Sequence, residues 1–206
     1  MAIAELNNVT VTKVFRGGKG VAVTGTILLE DGREVNKKFK AWFEDGHELR
    51  EGEEIGLSGF LSAEHREFEN ADGETIHFAE VSLNNARVKT AEGDHLVPTV
   101  SLQDVVVTRF FGVGGVGVEE RFESNGKKQS RRFSLWFGVD QDFDTDAVIS
   151  ARGELSTKVR SYTDKSGELQ YQVDINLNDA ELVGGSAGSA GSAPAEDSYD
   201  DTEAPF

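Results

Sequence analysis

The stretch Phe68–Ala86, FENADGETIHFAEVSLNNA, recurs 94 residues later as Tyr162–Ala180, YTDKSGELQYQVDINLNDA. In each version a turn dipeptide, Asp72-Gly73 or Ser166-Gly167, separates two runs in which apolar and polar residues alternate. Alternating runs around a short turn that contains glycine predict a β-hairpin. The chain therefore contains the same predicted hairpin twice.

The repeat covers most of the chain and not only the hairpin. Three further segments recur, two at the same spacing and the one nearest the start with a small shift. Two copies of a unit of about 85 residues explain the length, and so long a period is typical of tandem domains and not of a solenoid. The matching pairs are Lys37–Phe43 with Arg131–Phe137, Gly56–Ser62 with Ser150–Ser156, and Val9–Phe15 with Val105–Phe111.

Each copy predicts five strands and no helix. Asp31-Gly32 and Asn125-Gly126 are turn dipeptides that join the second and third strands of each copy. Five strands in so short a unit, with a long connection between the third and fourth, indicate a closed barrel of the OB type, whereas a β-sandwich usually needs about seven. The fold class is therefore all-β, with two tandem five-stranded OB-fold barrels. The first-copy strands lie at about 6–16, 20–29, 33–43, 54–69 and 74–88.

The chain divides into three predicted parts. Residues 1–90 form the first domain, residues 99–183 form the second, and the two are joined near Lys89–Pro98. Residues 184–206 are rich in Gly, Ser and Ala and then in acids, so they have too few apolar groups to fold alone. We expect a disordered linker that ends in an acidic tip.

Composition excludes several classes of function. The 206 residues include no cysteine, which rules out disulfides and thiolate chemistry, and 37% are hydrophobic, enough for packed cores. No apolar run could span a membrane and the start lacks a signal-peptide pattern, so we expect a soluble cytoplasmic protein. The net charge of −16 is uneven, because residues 184–206 hold five acids and no cation. An acidic protein of this kind can still carry a local basic groove.

Strand alternation separates a core face from a face on which tryptophan lies beside cations. Within Phe39–Phe43 the two phenylalanines and the alanine point to one side, and Phe133–Phe137 repeats this apolar pattern. A core does not need a tryptophan on the opposite side in both copies. The outward residues of this strand are Lys38, Lys40 and Trp42 in the first copy and Arg132 and Trp136 in the second.

The same outer face continues along the neighbouring strands. Rings interleaved with cations suit single-stranded nucleic acid, because cations follow the phosphates while each ring stacks on any base for about 1–3 kcal/mol. We therefore predict a nucleic-acid-binding face in each copy. Its further residues are Lys13, Phe60, Arg66, Phe68 and Phe78 in the first copy and Arg109, Arg152, Lys158, Arg160 and Tyr162 in the second.

Other interpretations of these residues stay open. Trp42 and Trp136 could anchor a domain or subunit interface, and Phe60 and Phe78 could be ordinary sheet residues. Two alternatives to DNA binding follow: a tandem-barrel structural or protein-interaction module, such as a virion component, or an accessory protein that binds RNA. Competition between ribo- and deoxy-oligonucleotides would separate the last of these.

Other motifs do not indicate chemistry. Gly112–Gly117, GVGGVG, has the spacing of a dinucleotide-binding loop, but a strand and not a helix is predicted to follow it, so it indicates a hairpin turn. His47, His65, His77 and His95 lack metal-ligand spacing in the sequence, and His77 falls on the inward face. No nucleophile lies beside a base. We expect a protein that is not an enzyme and that has no cofactor and no metal.

The segment Gly153–Val183, GELSTKVRSYTDKSGELQYQVDINLNDAELV, resembles the last two strands of bacterial single-stranded DNA-binding proteins. Gly59–Val88 is a looser version of it, and the end of the chain, DDTEAPF, is similar to the acidic Pro-Phe tip of that family. The connection between strands three and four, although the longest within each copy, is shorter than is usual in the family, and the tip's Thr-Glu-Ala also departs from the family pattern. A cellular and a phage-encoded origin both stay open.

The resemblance implies roles for particular residues. Phe68 and Tyr162, with Trp42 and Trp136, would stack on bases of single-stranded DNA. The tip would bind partner proteins of replication, recombination and repair, in association with the nucleoid. Two barrels per chain imply a homodimer with four barrels. In the tip, Pro205 and Phe206 would be the anchors, and Asp200, Asp201 and Glu203 the charged approach.

Overall fold

The structure is a computed structural model that describes residues 1–124 and 126–183. This part of the chain is all-β, which confirms the predicted class, and it contains no helix. No described segment is therefore a helix of the length and apolar character needed to cross a membrane. The strands are β1 Ile3–Val14, β2 Gly20–Leu28, β3 Glu34–Trp42, β4 Glu54–Glu69, β5 Thr75–Lys89, β6 Pro98–Phe110, β7 Gly115–Ser124, β8 Lys127–Trp136, β9 Val148–Thr163 and β10 Leu169–Leu182.

Five consecutive strands close into a ring of pairings in each half of the chain. In the first half the order is β1-β2-β3-β5-β4, and β4 pairs again with β1. In the second half the order is β6-β7-β8-β10-β9, and β9 pairs again with β6. The β3–β5 and β8–β10 pairs are parallel. In each half the long connection after the third strand places the fourth strand on the far side of the fifth, so the third strand pairs with the fifth. Closure leaves few unpaired strand edges.

The hairpin turns form where the dipeptides predict them. Gly73 and Gly167 have φ values of 77° and 86°, a left-handed conformation that glycine adopts without steric cost. Gly32 has a φ of 79° and closes the β2–β3 hairpin. In the corresponding turn of the second half, Asn125 lies outside the described residues.

Each barrel is filled by the apolar faces of its strands. Phe39, Ala41 and Phe43 are buried, as the alternation predicts, and the matching residues of Phe133–Phe137 are buried as well. Near the end of the fifth strand the pattern is interrupted at Asn85, whose φ is 49°. The β5 backbone there lies very close to β4, because a Cβ at Gly59 would be 2.9 Å from the Asn84 carbonyl oxygen.

The two halves are joined by a strand pairing and by ion pairs. β1 and β6 run antiparallel with Ala4 opposite Val100, and both residues are fully buried. The alignment that matches the two copies at their start also matches Ala4 to Val100, so equivalent positions meet at this junction. The Arg152 guanidinium also lies 3.2 Å from the Glu5 carboxylate of the first half.

Candidate nucleic-acid interface

The outward residues of β3, β5 and β4 form one continuous sheet face in the first half. Trp42 lies opposite Asn84 in β5, and Phe60 lies opposite Asn84 from the other side. Lys40 lies opposite Ser82 in the next row. Because paired residues project to the same side of a sheet, the alternation inferred from the sequence brings these side chains together.

The Trp42 ring packs against the backbone of the neighbouring strand at Gly20, which forms a floor beneath it. An added Cβ at Gly20 would lie 2.6 Å from the Trp42 ring, which shows how closely the indole approaches that glycine. The Phe15 ring stacks beside it at a centroid distance of 5.3 Å. The indole is nevertheless 41% exposed, so the remainder of the ring is available to stack on another flat group. We call Phe15, Gly20 and Trp42 the first platform.

The second half repeats this arrangement around Trp136. A Cβ at Gly115 would lie 3.0 Å from the Trp136 ring and 2.0 Å from the Phe111 carbonyl oxygen. The Phe111 ring meets Trp136 edge-on at 5.1 Å, and the Arg109 guanidinium lies over Phe111 at 5.4 Å. Trp136 is 40% exposed, almost the same as its counterpart. We call Arg109, Phe111, Gly115 and Trp136 the second platform.

The long hairpin β4–β5, which we call the first arm, extends the same face. Phe68 is 53% exposed, and its ring meets the exposed Phe78 ring edge-on at 5.8 Å. Arg66 is the cross-strand partner of Phe78. The outer side of this arm therefore presents two rings and a cation, as the sequence predicts.

The second arm, β9–β10, carries fewer rings and more cations. Tyr162 is 43% exposed and pairs across the hairpin with Gln170. Arg160 and Lys158 follow on the same side of β9, because alternate residues of a strand share a face. The two arms thus differ in their ratio of rings to cations.

Acidic neighbours neutralise part of this surface. Arg66 lies 2.8 Å from Glu64, and Arg160 lies 3.0 Å from Asp174. Lys40 pairs with Glu80. Exposed pairs of this kind contribute about 0–1 kcal/mol each, so a phosphate can replace the carboxylate at little cost. Within residues 1–124 and 126–183, no ion pair involves Lys13, Lys38, Arg109, Arg132 or Lys158.

A groove of about 710 Å³ runs between the first barrel and β9 of the second. Lys38, Phe68 and Phe78 lie on its first-half side, and Glu154 lies on its second-half side. Burial raises the pKa of the Glu154 carboxyl, and the nearby Asp179 charge raises it further. This acid therefore binds its proton more tightly than an ordinary glutamate.

Two of the predicted residues lie apart from the exposed rings. Phe60 is half-buried in a depression beside Glu44 and Asp45, so it offers less ring area than Trp42. Arg152 lies at the junction of the halves, where it pairs with Glu5. Neither position prevents contact with a nucleic-acid strand, and the binding roles of Phe60 and Arg152 remain predictions.

Sequence reasoning missed the ring that supports each tryptophan. Phe15 and Phe111 follow strands that contain a register shift, one between Val11 and Lys13 and one between Val107 and Arg109. A bulge changes which side the next residues face, so simple alternation fails beyond it. The repeated aromatic after VTK and VTR is the signal that could have identified both rings.

The inner side of the first arm holds a cluster that sequence spacing does not reveal. His65 Nε2 lies 2.9 Å from His77 Nδ1, and His77 Nδ1 lies 3.5 Å from a Glu67 carboxylate oxygen. The two histidines are distant in sequence, but the hairpin register places Glu67 opposite His77. Alternation also places His65 and Glu67 on one side of β4. These side chains are of the types that bind metal ions.

Comparison with solved structures gives a likeness to proteins that bind single-stranded DNA. The chain is similar to the crystal structure of the wild-type single-stranded DNA-binding protein from Thermus aquaticus, with a TM-score of 0.47 and 15% identity. It is also similar to a deletion mutant of that protein with an arginine-to-alanine substitution, with a TM-score of 0.46 and 15% identity. Each match covers 95% of this chain and 98% of the other. No protein-family model and no curated protein sequence matches the chain.

Proposed function

We propose that this protein binds single-stranded DNA without strong sequence preference and so coats and protects it. The observation that carries the proposal is the repeated platform, an exposed tryptophan on a glycine floor in each half, at 41% and 40% exposure. A ring supported on one side and open on the other can stack on any base. Two such rings in equivalent places favour a ligand with repeating flat groups.

The charges beside the rings favour a polyanion as that ligand. Lys38 lies on the face of the first platform, and the Arg109 guanidinium belongs to the second. The net charge of −16 opposes random association with nucleic acid, so binding depends on this local surface. Affinity is therefore expected to combine stacking with phosphate contacts.

The test is a titration of the protein with oligo(dT), followed by quenching of tryptophan fluorescence. Both tryptophans lie on the proposed surface, so binding should quench the emission. The logarithm of the affinity should fall linearly with the logarithm of the salt concentration, by about 0.7 for each phosphate contacted on a single strand. Absence of quenching and of binding at low salt would refute the proposal.

Variants with one tryptophan separate the two halves. Trp42→Phe and Trp136→Phe each leave one reporter and retain a ring at the substituted position, so binding should persist in both. Trp42→Ala and Trp136→Ala should each weaken binding by about 1–3 kcal/mol, measured by anisotropy of a labelled oligonucleotide. Leu28→Ala is the matched control, because it truncates an exposed apolar residue at the opposite end of the β2–β3 hairpin from Gly20 and Trp42.

The finer parts of the proposal concern architecture and ligand. We propose that the two rings of strands are tandem OB folds, which the five-strand closure and the β3–β5 and β8–β10 pairings support. We also propose that two chains associate as a homodimer. Mass measurement with and without a long oligonucleotide tests the stoichiometry. Competition with an equal-length ribo-oligonucleotide tests the RNA alternative, because only RNA carries the 2′-hydroxyl.

We further propose that the acidic Pro-Phe tip recruits proteins of replication, recombination and repair. The residues concerned, Asp200, Asp201, Glu203, Pro205 and Phe206, lie outside the described residues, so the proposal depends on their chemistry alone. Deletion of Pro205 and Phe206 should leave oligo(dT) binding intact and abolish capture of such partners. Loss of oligo(dT) binding after the deletion would show that the tip has another role.

A further inference from the structure

The inner side of the first arm brings three metal-ligating side chains together. The ligand atoms of His65, Glu67 and His77 all lie within 4.8 Å of one another. Both histidines are half-buried, while the glutamate is exposed. This cluster faces away from Phe68 and Phe78, because inner and outer residues of the hairpin alternate. It is therefore separate from the surface proposed for nucleic acid.

The hairpin register explains why the three side chains meet. Glu67 in β4 lies directly opposite His77 in β5, and such pairs have Cβ atoms about 4.5–5.5 Å apart. His65 precedes Glu67 by two residues in β4 and so shares its side, diagonal to His77. The ligands lie on two paired strands and not on loops, which keeps their separation nearly fixed.

The distances fit a small transition-metal ion. Zinc binds imidazole nitrogen at about 2.0–2.1 Å in tetrahedral geometry, which requires nitrogen ligands about 3.3 Å apart. His65 Nε2 and His77 Nδ1 are 2.9 Å apart and share a hydrogen bond. An ion would replace this hydrogen bond, with the two nitrogens a few tenths of an ångström further apart and the lone pair of each directed at the ion. Two imidazoles and one carboxylate leave a fourth position for water, a common ligand set for zinc.

Tyr171 of the second half holds the two imidazoles in place. Its ring stacks on His77 at a centroid distance of 3.9 Å and on His65 at 4.9 Å, with interplanar angles of 18° and 12°. Stacking on both rings restricts their rotation, which lowers the entropy cost of binding an ion. It also means that an ion bound to the first arm would stabilise the contact between the halves.

We propose that His65, Glu67 and His77 form a binding site for zinc or a similar divalent transition-metal ion, which fastens the first arm against the second half. The site binds one ion per chain, because the matching positions in the second arm are Val159, Ser161 and Tyr171, which do not form such a set. This inference does not depend on the proposed nucleic-acid function.

The test uses the full chain after treatment with a chelator. Zinc should bind with a stoichiometry of one per chain, measured by competition with a chromophoric chelator, and should raise the melting temperature, whereas Mg²⁺ should not. Co²⁺ should give the intense visible absorption of a four-coordinate ion. His65→Gln and His77→Gln should each lower the zinc affinity by more than about tenfold. A change to a residue that only orients a metal ligand already costs about 10–100-fold, and these variants remove a ligand itself.

His95→Gln is the matched control, because His95 lies 3.3 Å from Glu34 but has no second histidine beside it. Its zinc affinity should equal that of the unchanged chain. Glu67→Gln removes one ligand from an exposed position, so it tests the site even if the histidine variants do not fold. The proposal is overturned if the unchanged chain binds no zinc, if His95→Gln weakens binding equally, or if folded Glu67→Gln and histidine variants bind normally.

Discussion

At the scale of single residues, the tryptophan surface depends on glycine. Gly20 and Gly115 have no side chain, and each allows an indole to lie against the backbone of the neighbouring strand. Any larger residue would place a methyl group within 2.6 Å of the Trp42 ring or 3.0 Å of the Trp136 ring. The distance at Trp42 is shorter than real Cβ atoms show and the distance at Trp136 is tighter than nearly all of them, so each ring would have to tilt or move away. The orientation of each ring is therefore restricted by a residue that has no side chain.

Gly20→Ala should weaken binding to oligo(dT) by about fivefold or more, because a displaced Trp42 loses much of its stacking on one base. Gly138→Ala is the matched control, since a Cβ at Gly138 meets nothing within 4 Å and its backbone is not left-handed. Both variants are measured by anisotropy of the same labelled oligonucleotide. Equal affinity of the two variants would contradict this account of the platform.

The sequence predicts the outward tryptophans but not their floor. Alternation in Lys37–Phe43 and Arg131–Phe137 is enough to separate ring from core, because both segments are regular strands. The glycines of Gly112–Gly117 suggest only a turn when they are considered alone. Their use becomes visible when β8 lies beside β7, with Gly115 opposite Trp136. Contacts across strands of this kind are set by register, which alternation does not specify.

At the scale of elements, the two arms close their turns with different chemistry. The Asn70 side-chain oxygen accepts the backbone N–H groups of Asp72 and Glu74 at 3.0 and 2.9 Å. Asp164 occupies the equivalent position in the second arm, where it accepts the backbone N–H groups of Ser166 and Glu168 at 2.9 and 3.0 Å. One turn therefore uses a neutral amide, and the other uses an ionised carboxylate.

The Asp164 turn should lose stability in acid. The Ser166 hydroxyl, which donates to the Asp164 carboxylate, and the Glu168 N–H hold the pKa of this group below its ordinary value. Because the pKa of Asp164 is lower in the folded than in the unfolded state, the ionised carboxylate stabilises the fold at pH values above the unfolded-state pKa. This stabilisation is lost as the pH falls through the folded-state pKa. Melting temperatures from about pH 7 to about pH 2 should therefore fall more for the unchanged chain than for Asp164→Asn.

The reciprocal change provides the control for this turn. Asn70→Asp converts the first-arm turn to the chemistry of the second, so its melting temperature should become more sensitive to acid. If neither substitution alters the pH dependence, the hydrogen bonds to Asp164 do not stabilise its ionised form. The turns themselves follow from the sequence, since Asp72-Gly73 and Ser166-Gly167 mark both of them.

The contacts between the two arms could not be predicted from the sequence. Alternation assigns His77 to the inward face, and the structure agrees, since His77 shares the side of the buried Val81. Where the first arm extends past the first barrel, however, its inner face contacts Tyr171 of the second half and not the core of the first barrel. Only the relative position of the two halves decides what covers it. A repeat in the sequence shows that two units exist, and not how they pack.

At the scale of the whole molecule, one largely buried carboxylate of the second half takes part in joining the halves. The amine of Met1, in the first half, lies 3.3 Å from an oxygen of the Glu120 carboxylate. The Glu120 side chain, on a residue only 3% exposed, lies 2.8 Å from the Arg131 guanidinium. Arg131 also donates a hydrogen bond to the Leu61 carbonyl oxygen of the first half. A buried carboxylate is tolerated only where its charge is compensated, so Arg131 acts both within the second barrel and between the barrels.

Arg131→Ala should destabilise the protein by about 3 kcal/mol, because it leaves the buried Glu120 carboxylate with the exposed Met1 amine as its remaining charge partner. The double variant Glu120→Gln with Arg131→Met should be more stable than Arg131→Ala, since it removes the buried charge that has lost its nearer partner. Urea denaturation measures both. A single variant no less stable than the double one would show that the Met1 amine and water compensate Glu120 after the arginine is removed.

The junction in which Ala4 faces Val100, and the stacking of His77 on Tyr171, have the same origin in symmetry: each joins a position to its own equivalent. In a dimer of identical one-barrel chains, every residue on such an axis would meet a copy of itself, and one mutation would change both sides at once. Joining the two units in one polypeptide removes that constraint. Each side can then diverge alone, which is how a histidine cluster can exist on one arm while its counterpart supplies the ring that covers it.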